Sequence, residues 1–339
     1  MQAWVTDGDG ISQLRQEERA DPVLGPDEAL IRVHAVSLNW RDLRIVAGQY
    51  GGKQRPGLIP TSDMSGIVEQ VGERVSTLKP GDHVINLAIK QWPAGKLRSD
   101  WTRTFLGCSD VDGMLVERIA YPAESLVKAP SHMTHEQACT LPIAGLTAWA
   151  ALVTHGELRP GQWVLVHGTG GVSVFAAQLA KYLGARVILS TSTDKKSAWA
   201  KQHLGVDEVI NYRDEEWPKR VMEITGKRGV DLVVEVAGGE SLAKSMQVCA
   251  YYARVMVIGV VAGFESTIDT MQFIRKQIRV QGIFMESAQE LESFARACEA
   301  MKLEPVIDRM FSFNEAPKAY ERLQSGEHMG KVVISGIAK

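Results

Sequence analysis

The run Gly168-Thr169-Gly170-Gly171-Val172-Ser173, set directly after the apolar stretch Trp163-Val164-Leu165-Val166-His167, has the residue types and spacing to bind phosphate. A buried strand that turns abruptly into a helix leaves backbone N–H groups unpaired at the helix N-terminus, where the helix dipole also favours an anion. Gly168 permits the tight turn and Gly170 lets the backbone approach a pyrophosphate, with Gly171 and Val172 opening the helix. Ser173 stands where a GxGxxG pattern has its third glycine and is small enough for close helix–strand packing. The pattern predicts a dinucleotide; the alternative is a Gly-rich turn that serves only the fold.

The choice of dinucleotide is read from the next strand. It ends Ile188-Leu189-Ser190-Thr191-Ser192-Thr193, without the carboxylate that holds the adenosine ribose hydroxyls in an NAD-specific unit. Thr191 and Ser192 offer hydroxyls to a 2′-phosphate. Lys195 and Lys196 follow in the first turn of a helix, where the dipole disfavours a cation by about 0.3–1 kcal/mol; a bound anion compensates for that placement. NADPH is expected ahead of NADH. The competing reading is two solvated lysines on a helix.

Elements with alternating period must position these groups. Strands are expected at 163–167, 186–190, 208–211, 231–236, 254–259 and 278–284, with helices near 174–183, 195–203, 215–225, 241–250 and 270–276. Crossovers between six such strands give a parallel, doubly wound sheet. Before about residue 130 the texture differs: Ala29–Ser37, Ser65–Val71, His83–Ala88, Leu115–Ile119 and Leu126–Lys128 are short strand-like runs punctuated by Gly and Pro. Ile89–Asp112 has no clear period and reads as a long, mobile loop. A helix near 288–301 and a strand Lys331–Ser335 follow the doubly wound segment and are expected to return to the first domain.

A chain of 339 residues exceeds the length at which one core keeps growing, so two domains are expected. A formal net charge of −2, without a Lys/Arg cluster, argues against a nucleic-acid face. Met1-Gln2-Ala3-Trp4-Val5 enters a strand directly and reads as no secretory leader, and no apolar run approaches a membrane span, so a cytoplasmic protein without a membrane partner is expected. Cys108, Cys139, Cys249 and Cys298 are scattered and read as free thiols in a reducing compartment. His132, His135 and Cys139 suggest a metal only superficially, because Thr134-His135-Glu136-Gln137 reads as a capping box that leaves His132 outside the helix.

Several segments together resemble the medium-chain dehydrogenase/reductase superfamily: Ala35-Val-Ser-Leu-Asn39-Trp-Arg41-Asp42, Thr61-Ser-Asp63-Met-Ser-Gly66-Ile-Val-Glu-Gln-Val-Gly72, Pro80-Gly81-Asp82-His-Val84, Leu141-Pro-Ile-Ala-Gly-Leu-Thr147, the Gly168 loop, Gly205-Val-Asp, Asn211-Tyr212 and Gly330-Lys331-Val-Val. Within it the chain looks like the zinc-independent, quinone oxidoreductase-like branch, close to the zinc-less alcohol dehydrogenases. The resemblance implies a GroES-like, β-barrel catalytic domain from residues 1–130 and 286–339 and a Rossmann domain from 131–285. It also implies a homodimer paired along the edge strand near Val280–Phe284, and cofactor contacts from Thr147, Tyr212, Ala237, Gly259, Val260, Ile283 and Phe284. Where zinc-dependent members carry Cys, His and Cys, this chain has Asn39, Ser62 and a residue near Ile143, so no catalytic metal is expected.

Hydride transfer without a metal still requires stabilisation of the negative oxygen that develops. Quinones and α,β-unsaturated carbonyls are the easier acceptors, since their charge is delocalised, and a small carbonyl compound is the expected partner. Asn39 is the expected hydrogen-bond donor, Arg41 a candidate anion stabiliser and Asp42 its orienting partner; a loop-bracing Asn–Arg–Asp network is the alternative. Tyr50, Trp92 and Trp101 are candidate pocket residues. An alcohol dehydrogenase with a side-chain base, and a non-catalytic NADPH-binding sensor, are the other functional readings. The sequence carries no GxSxG elbow for acyl transfer.

Overall fold

Apolar residues of alternating and helical period sort the chain into two units in a computed structural model that describes residues 1–338. Among the described residues, the first unit comprises 1–146 with 286–338, and the second Thr147–Met285. The first cut thus falls later than residue 130. The segment after 130 is held by the first unit: Ser131 donates to Glu299 (2.6 Å from its N–H), His135 pairs with Ser65, and Gly145 lies so close to Phe294 that an added Cβ would stand 2.7 Å from the ring.

In the first unit, the long strand Glu28–Leu38 is the organising element. It pairs antiparallel with Asp63–Val71, with Arg118–Pro122 and with Lys331–Ser335. The main path of this seven-stranded sheet runs Ile307–Ser312, Lys331–Ser335, Glu28–Leu38, Asp63–Val71, His83–Asn86, Leu126–Lys128, with Arg118–Pro122 off that path beside Glu28–Leu38. Alternation in Glu28–Leu38 sends Ala29, Ile31 and Val33 into a core shared with Tyr121, Tyr320 and Leu323. The strand Ile307–Ser312 and the helix Ala316–Gln324 were not expected from the sequence. Their signals are a Ser312–Glu315 capping box and the helical spacing of Ala316, Ala319, Tyr320 and Leu323.

The segment Ile89–Asp112 is more built than its aperiodic sequence suggests. Ile89 and Leu106 are fully buried, Trp92 and Phe105 nearly so, and Ile89 bridges Phe105. Its period is absent because its apolar side chains pack singly rather than along one face.

The second unit is a six-stranded parallel sheet with strands β1 (Trp163–His167), β2 (Arg186–Thr191), β3 (Glu208–Asn211), β4 (Val230–Glu235), β5 (Cys249–Val257) and β6 (Arg279–Gly282). Their spatial order is β3-β2-β1-β4-β5-β6, with the reversal beside β1 that defines a Rossmann sheet. Helices α1 (Gly171–Tyr182), α2 (Asp194–Leu204), α3 (Trp217–Ile224), α4 (Gly239–Gln247) and α5 (Met271–Lys276) make the crossovers. β1 and β4 are buried on both faces, as parallel strands covered by helices must be. β6 is an edge strand, exposed along its length.

Candidate functional site

Asn39, Arg41 and Asp42 come together at one helix N-terminus in the first unit. The helix Trp40–Val46 begins where the strand Glu28–Leu38 ends, with Asn39 as its N-cap. Asp42 accepts from the Asn39 backbone N–H at 2.7 Å, which satisfies a donor that the helix leaves unpaired. The Asn39 amide is engaged at both ends. Nδ2 donates to Asp63 Oδ2 (2.8 Å) and Oδ1 accepts from Lys331 Nζ (2.6 Å), so the amide orientation follows from partners that can only accept and only donate. Among the described residues the second Nδ2 hydrogen has no hydrogen bond.

Arg41 donates from Nη1 to Ser62 Oγ and to the Leu106 carbonyl (2.9 Å), and it lies 3.5 Å from Asp42 Oδ1. Its guanidinium stacks over the Phe105 ring, 3.7 Å from the centroid, with Tyr50 at 5.1 Å. Nε and Nη2 are buried without a hydrogen-bond partner among the described residues. Two acids and two bases therefore share one buried site: Asp42 and Asp63 are fully buried, Lys331 is 2% exposed and Arg41 9%. Burial pushes the Asp42 carboxyl up to about 6, against the pull of Arg41. Burial also raises Asp63 and lowers Lys331, each effect opposed by the other's charge.

Tyr50 is the expected pocket aromatic that stands near this cluster. Trp92 instead donates from Nε1 to the Gly95 carbonyl (2.8 Å) and is buried, and Trp101 stacks with Arg98 at 5.2 Å. Ile143 lies in a π-helical turn, Leu141–Gly145.

In the second unit the expected phosphate-binding turn has its own internal bracing. Gly168 adopts φ +79°, a conformation open to glycine and rare and strained for β-branched residues. Gly170 is the N-cap of α1, so the N–H groups of Gly171, Val172 and Ser173 are not used within the helix. Ser173 Oγ donates to the His167 carbonyl at 2.6 Å, and Gly168 N–H donates to the Ser190 carbonyl at 2.8 Å. Ser173 thus ties the turn shut as well as fitting it.

Thr191 ends β2, and its carbonyl accepts from the backbone N–H of half-exposed Tyr212. Thr193 caps α2, accepting from the Lys196 N–H at 3.3 Å, and Ser192 lies between them. Asp194, which the sequence reading passed over, opens that helix as an exposed acid beside Lys195. Ala237 follows β4 and Gly259 and Val260 follow β5. Gly259 is required sterically, since an added Cβ would stand 2.3 Å from the Val236 carbonyl. Thr147 is buried on the helical turn Leu146–Trp149. Ile283 packs with Ala150, Ala151 and Met256, while Phe284 is 43% exposed.

Residues missed from sequence are the buried charges. Lys331 opens a strand that is otherwise mostly apolar and Glu235 closes one, so a charge at the end of an apolar strand run was the available signal for these two, while Asp63 opens a strand of mixed polarity that gives no such signal.

The sequence matches two family models: "Alcohol dehydrogenase GroES-like domain" over residues 25–131 and "Zinc-binding dehydrogenase" over residues 171–300. It is 36% identical over 333 residues to a zinc-type alcohol dehydrogenase-like protein of Schizosaccharomyces pombe, covering 96% of each chain. It is 26% identical over 335 residues to the quinone oxidoreductase of Homo sapiens, covering 96% of this chain and 94% of that one. Among solved structures, one from Sinorhizobium meliloti 1021, of a protein provisionally named an alcohol dehydrogenase, superposes with a TM-score of 0.92 at 40% identity over 98% of both chains.

Proposed function

Because the chain belongs to the medium-chain dehydrogenase/reductase superfamily, we propose that it is a zinc-independent oxidoreductase that passes hydride from NADPH to a quinone or an α,β-unsaturated carbonyl. One observation carries the reading. At the positions that resemble the catalytic zinc ligands, the polar atoms of Asn39 and Ser62 are tied to an ammonium and a guanidinium, Lys331 and Arg41. Zinc takes thiolate, imidazole or carboxylate ligands in a tetrahedron, and the carboxylates here are engaged by Asn39, Lys331 and Arg41. An amide and a hydroxyl already held by cations do not fit it, and no step is assigned to a metal.

The side chains take over the electrostatic role. Arg41 supplies a fixed positive charge whose direction is set by Ser62, Leu106 and the Phe105 ring. The remaining Asn39 N–H is the donor for a substrate oxygen, and Asp63 with Lys331 prevents that amide from rotating. Asp42 anchors the helix start and offsets part of the Arg41 charge. A delocalised enolate or hydroquinone anion suits such stabilisation better than a localised alkoxide, which favours conjugated acceptors over simple alcohols.

The dinucleotide is held by Gly168, Gly170, Gly171, Val172 and Ser173 at the α1 N-terminus, with Thr191, Ser192 and Lys196 toward the adenosine end. When bound, it supplies the hydride. Asp194 favours a second reading, NADH, because a carboxylate at the start of α2 suits ribose hydroxyls and repels a 2′-phosphate.

The test is turnover of a quinone and enone panel by chelator-treated protein with NADPH and with NADH. Metal-independent reduction with NADPH is expected, together with a fall of about 10²-fold or more in kcat for Arg41→Met and little change in NADPH affinity. Activity that disappears on chelation and returns with zinc refutes the proposal, and turnover confined to alcohols transfers it to a dehydrogenase.

A further inference from the structure

Directly beneath the phosphate-binding turn lies a histidine that neither the expected cofactor contacts nor the reaction uses. His167 ends β1 and is 4% exposed. Its Nδ1 is 2.8 Å from Ser190 Oγ, at the end of β2, and its Nε2 is 2.8 Å from Ser245 Oγ, on α4. Nε2 also lies 3.4 Å from Glu235 Oε2, and Trp217 presses against the ring edge-on at 5.7 Å.

The direction of each hydrogen bond follows from Glu235. A carboxylate accepts only, and Oε2 takes the Ser245 hydroxyl hydrogen at 2.8 Å. Ser245 Oγ has then spent its hydrogen, so it accepts from His167 Nε2–H. Nδ1 of the neutral ring is left as an acceptor, and Ser190 O–H donates to it. Burial, which holds His167 below its ordinary range, keeps that ring neutral. The other Glu235 oxygen accepts the N–H groups of Ala237 (2.9 Å) and Gly238 (3.1 Å), and Ser241 Oγ lies 3.1 Å from both oxygens.

A directed chain of hydrogen bonds therefore runs from Ser190 through His167 and Ser245 to Glu235, whose carboxylate also accepts from the turn after β4. It joins three adjacent strand ends on the edge where a Rossmann sheet binds its dinucleotide. Two of its members, Ser190 and His167, also hold the turn through their backbone carbonyls. The Ser190 carbonyl accepts from Gly168 N–H, and the His167 carbonyl accepts from Ser173 Oγ.

We infer that His167 is a positioning residue for the dinucleotide: its side chain fixes the ends of β1 and β2 so that the Gly168–Ser173 turn presents its N–H groups in register for the diphosphate. The inference rests on the dinucleotide reading given above and adds the part that sets its affinity. A ring that merely filled space would be replaceable by another ring of similar size, whereas this one is specified by a donor on one edge and an acceptor on the other.

The experiment compares wild type with His167→Phe, His167→Gln and Ser190→Ala, using the full chain and reading the Kd of NADPH and of ADP-ribose by fluorescence and calorimetry. His167→Phe is expected to weaken both ligands by about tenfold. KM for the dinucleotide should rise with it, while kcat at saturation stays within about twofold. His167→Gln, whose amide N–H replaces the donor to Ser245, should recover part of the affinity. Ser190→Ala removes one bond with little volume and should weaken binding by roughly threefold, and it decides the matter if His167→Phe fails to fold. Unchanged Kd values in folded His167→Phe or in Ser190→Ala overturn the inference. So does a fall in kcat at saturation with unaltered KM. If wild type binds neither ligand, the dinucleotide reading itself fails and this inference falls with it.

Discussion

Replacing Lys331 by Met tests whether the buried charges of the first unit hold one another. Lys331 donates to the Leu38 carbonyl at 2.8 Å and to Asn39 Oδ1 at 2.6 Å, and it stands 3.6 Å from Asp63 Oδ2. Removing one member of a buried pair typically costs about 3–5 kcal/mol, because the other charge loses its counterion without regaining water. Asp63 has one escape. Burial already raises its pKa, and losing Lys331 raises it further, so it can take up a proton at about 1.4 kcal/mol per unit between its pKa and the ambient pH. The loss should therefore fall near the lower bound, about 3 kcal/mol at pH 7. For a unit of this size that lowers Tm by roughly 6–12 °C.

The assay is chemical and thermal unfolding of wild type, Lys331→Met, Asp63→Asn and the double variant. The double variant should recover at least about 2 kcal/mol relative to additivity, since it leaves no unpaired charge. The Lys331→Met deficit should shrink toward pH 5. In that variant the folded-state pKa of Asp63 lies above its unfolded value of 3.8, so protonation favours the folded form as pH falls. A loss below about 1 kcal/mol, or strictly additive single variants, would show that the ammonium is not the counterion of Asp63.

A second pH effect has the opposite sign. His34 and His135 stack at 4.3 Å, His83 meets His135 edge-on at 4.2 Å, and Ser65 Oγ touches both His83 and His135. Burial and mutual repulsion, with Arg32 adding to it and Glu69 and Glu136 opposing at His34, hold His83 near 4 and His135 near 3. The unfolded chain binds more protons below its ordinary histidine pKa of 6.5, so stability should decline as pH falls from about 6.5 toward 4. His135→Gln should flatten that slope in urea titrations at pH 7, 6 and 5; an unchanged slope counts against the stack. Lys196→Ala is expected to raise the NADPH Kd about tenfold and leave that of NADH within twofold, and equal effects on both would favour the solvated-lysine reading. Just past β6, the Ile283 N–H points inward to the Val257 carbonyl, so alternation turns the Val280 N–H outward. If the chain forms the edge-paired homodimer that the sequence resemblance implies, Val280→Pro should convert it to monomer by sedimentation, and an unaltered mass would place any interface elsewhere.

What could be read along the chain was what is encoded over a few residues. The strand–glycine–helix passage at Gly168 and the Thr134–Gln137 capping box are local patterns, and both have the backbone form their residues require. The Asn39–Asp42 box is equally local, but what holds the Asn39 side chain is not: its partners Asp63 and Lys331 lie 24 and 292 residues away. The same holds for His34, His83 and His135, brought together by two strands and a helix start. Pairing at that range leaves no periodic trace in either partner. A lone charge at the start of an otherwise apolar strand, as at Lys331, is the information that survives.

The strand Lys331–Ser335 is the last large piece of the first unit to be made, yet its partner Glu28–Leu38 is among the first. At about 5–20 residues per second, ribosomal synthesis separates residue 146 from residue 335 by roughly 10–40 s. Throughout that interval the edge of Glu28–Leu38 that faces Lys331–Ser335 is unpaired, and Asp63 waits without its ammonium. The second unit is one continuous stretch, Thr147–Met285, and can finish folding meanwhile. A nascent chain of this protein is therefore most vulnerable to strand-to-strand aggregation not at its start but in the long pause before its final strand emerges. Holdase chaperones would gain most by binding the early half of the chain, and slowed translation after residue 146 would lower the yield more than slowing before it.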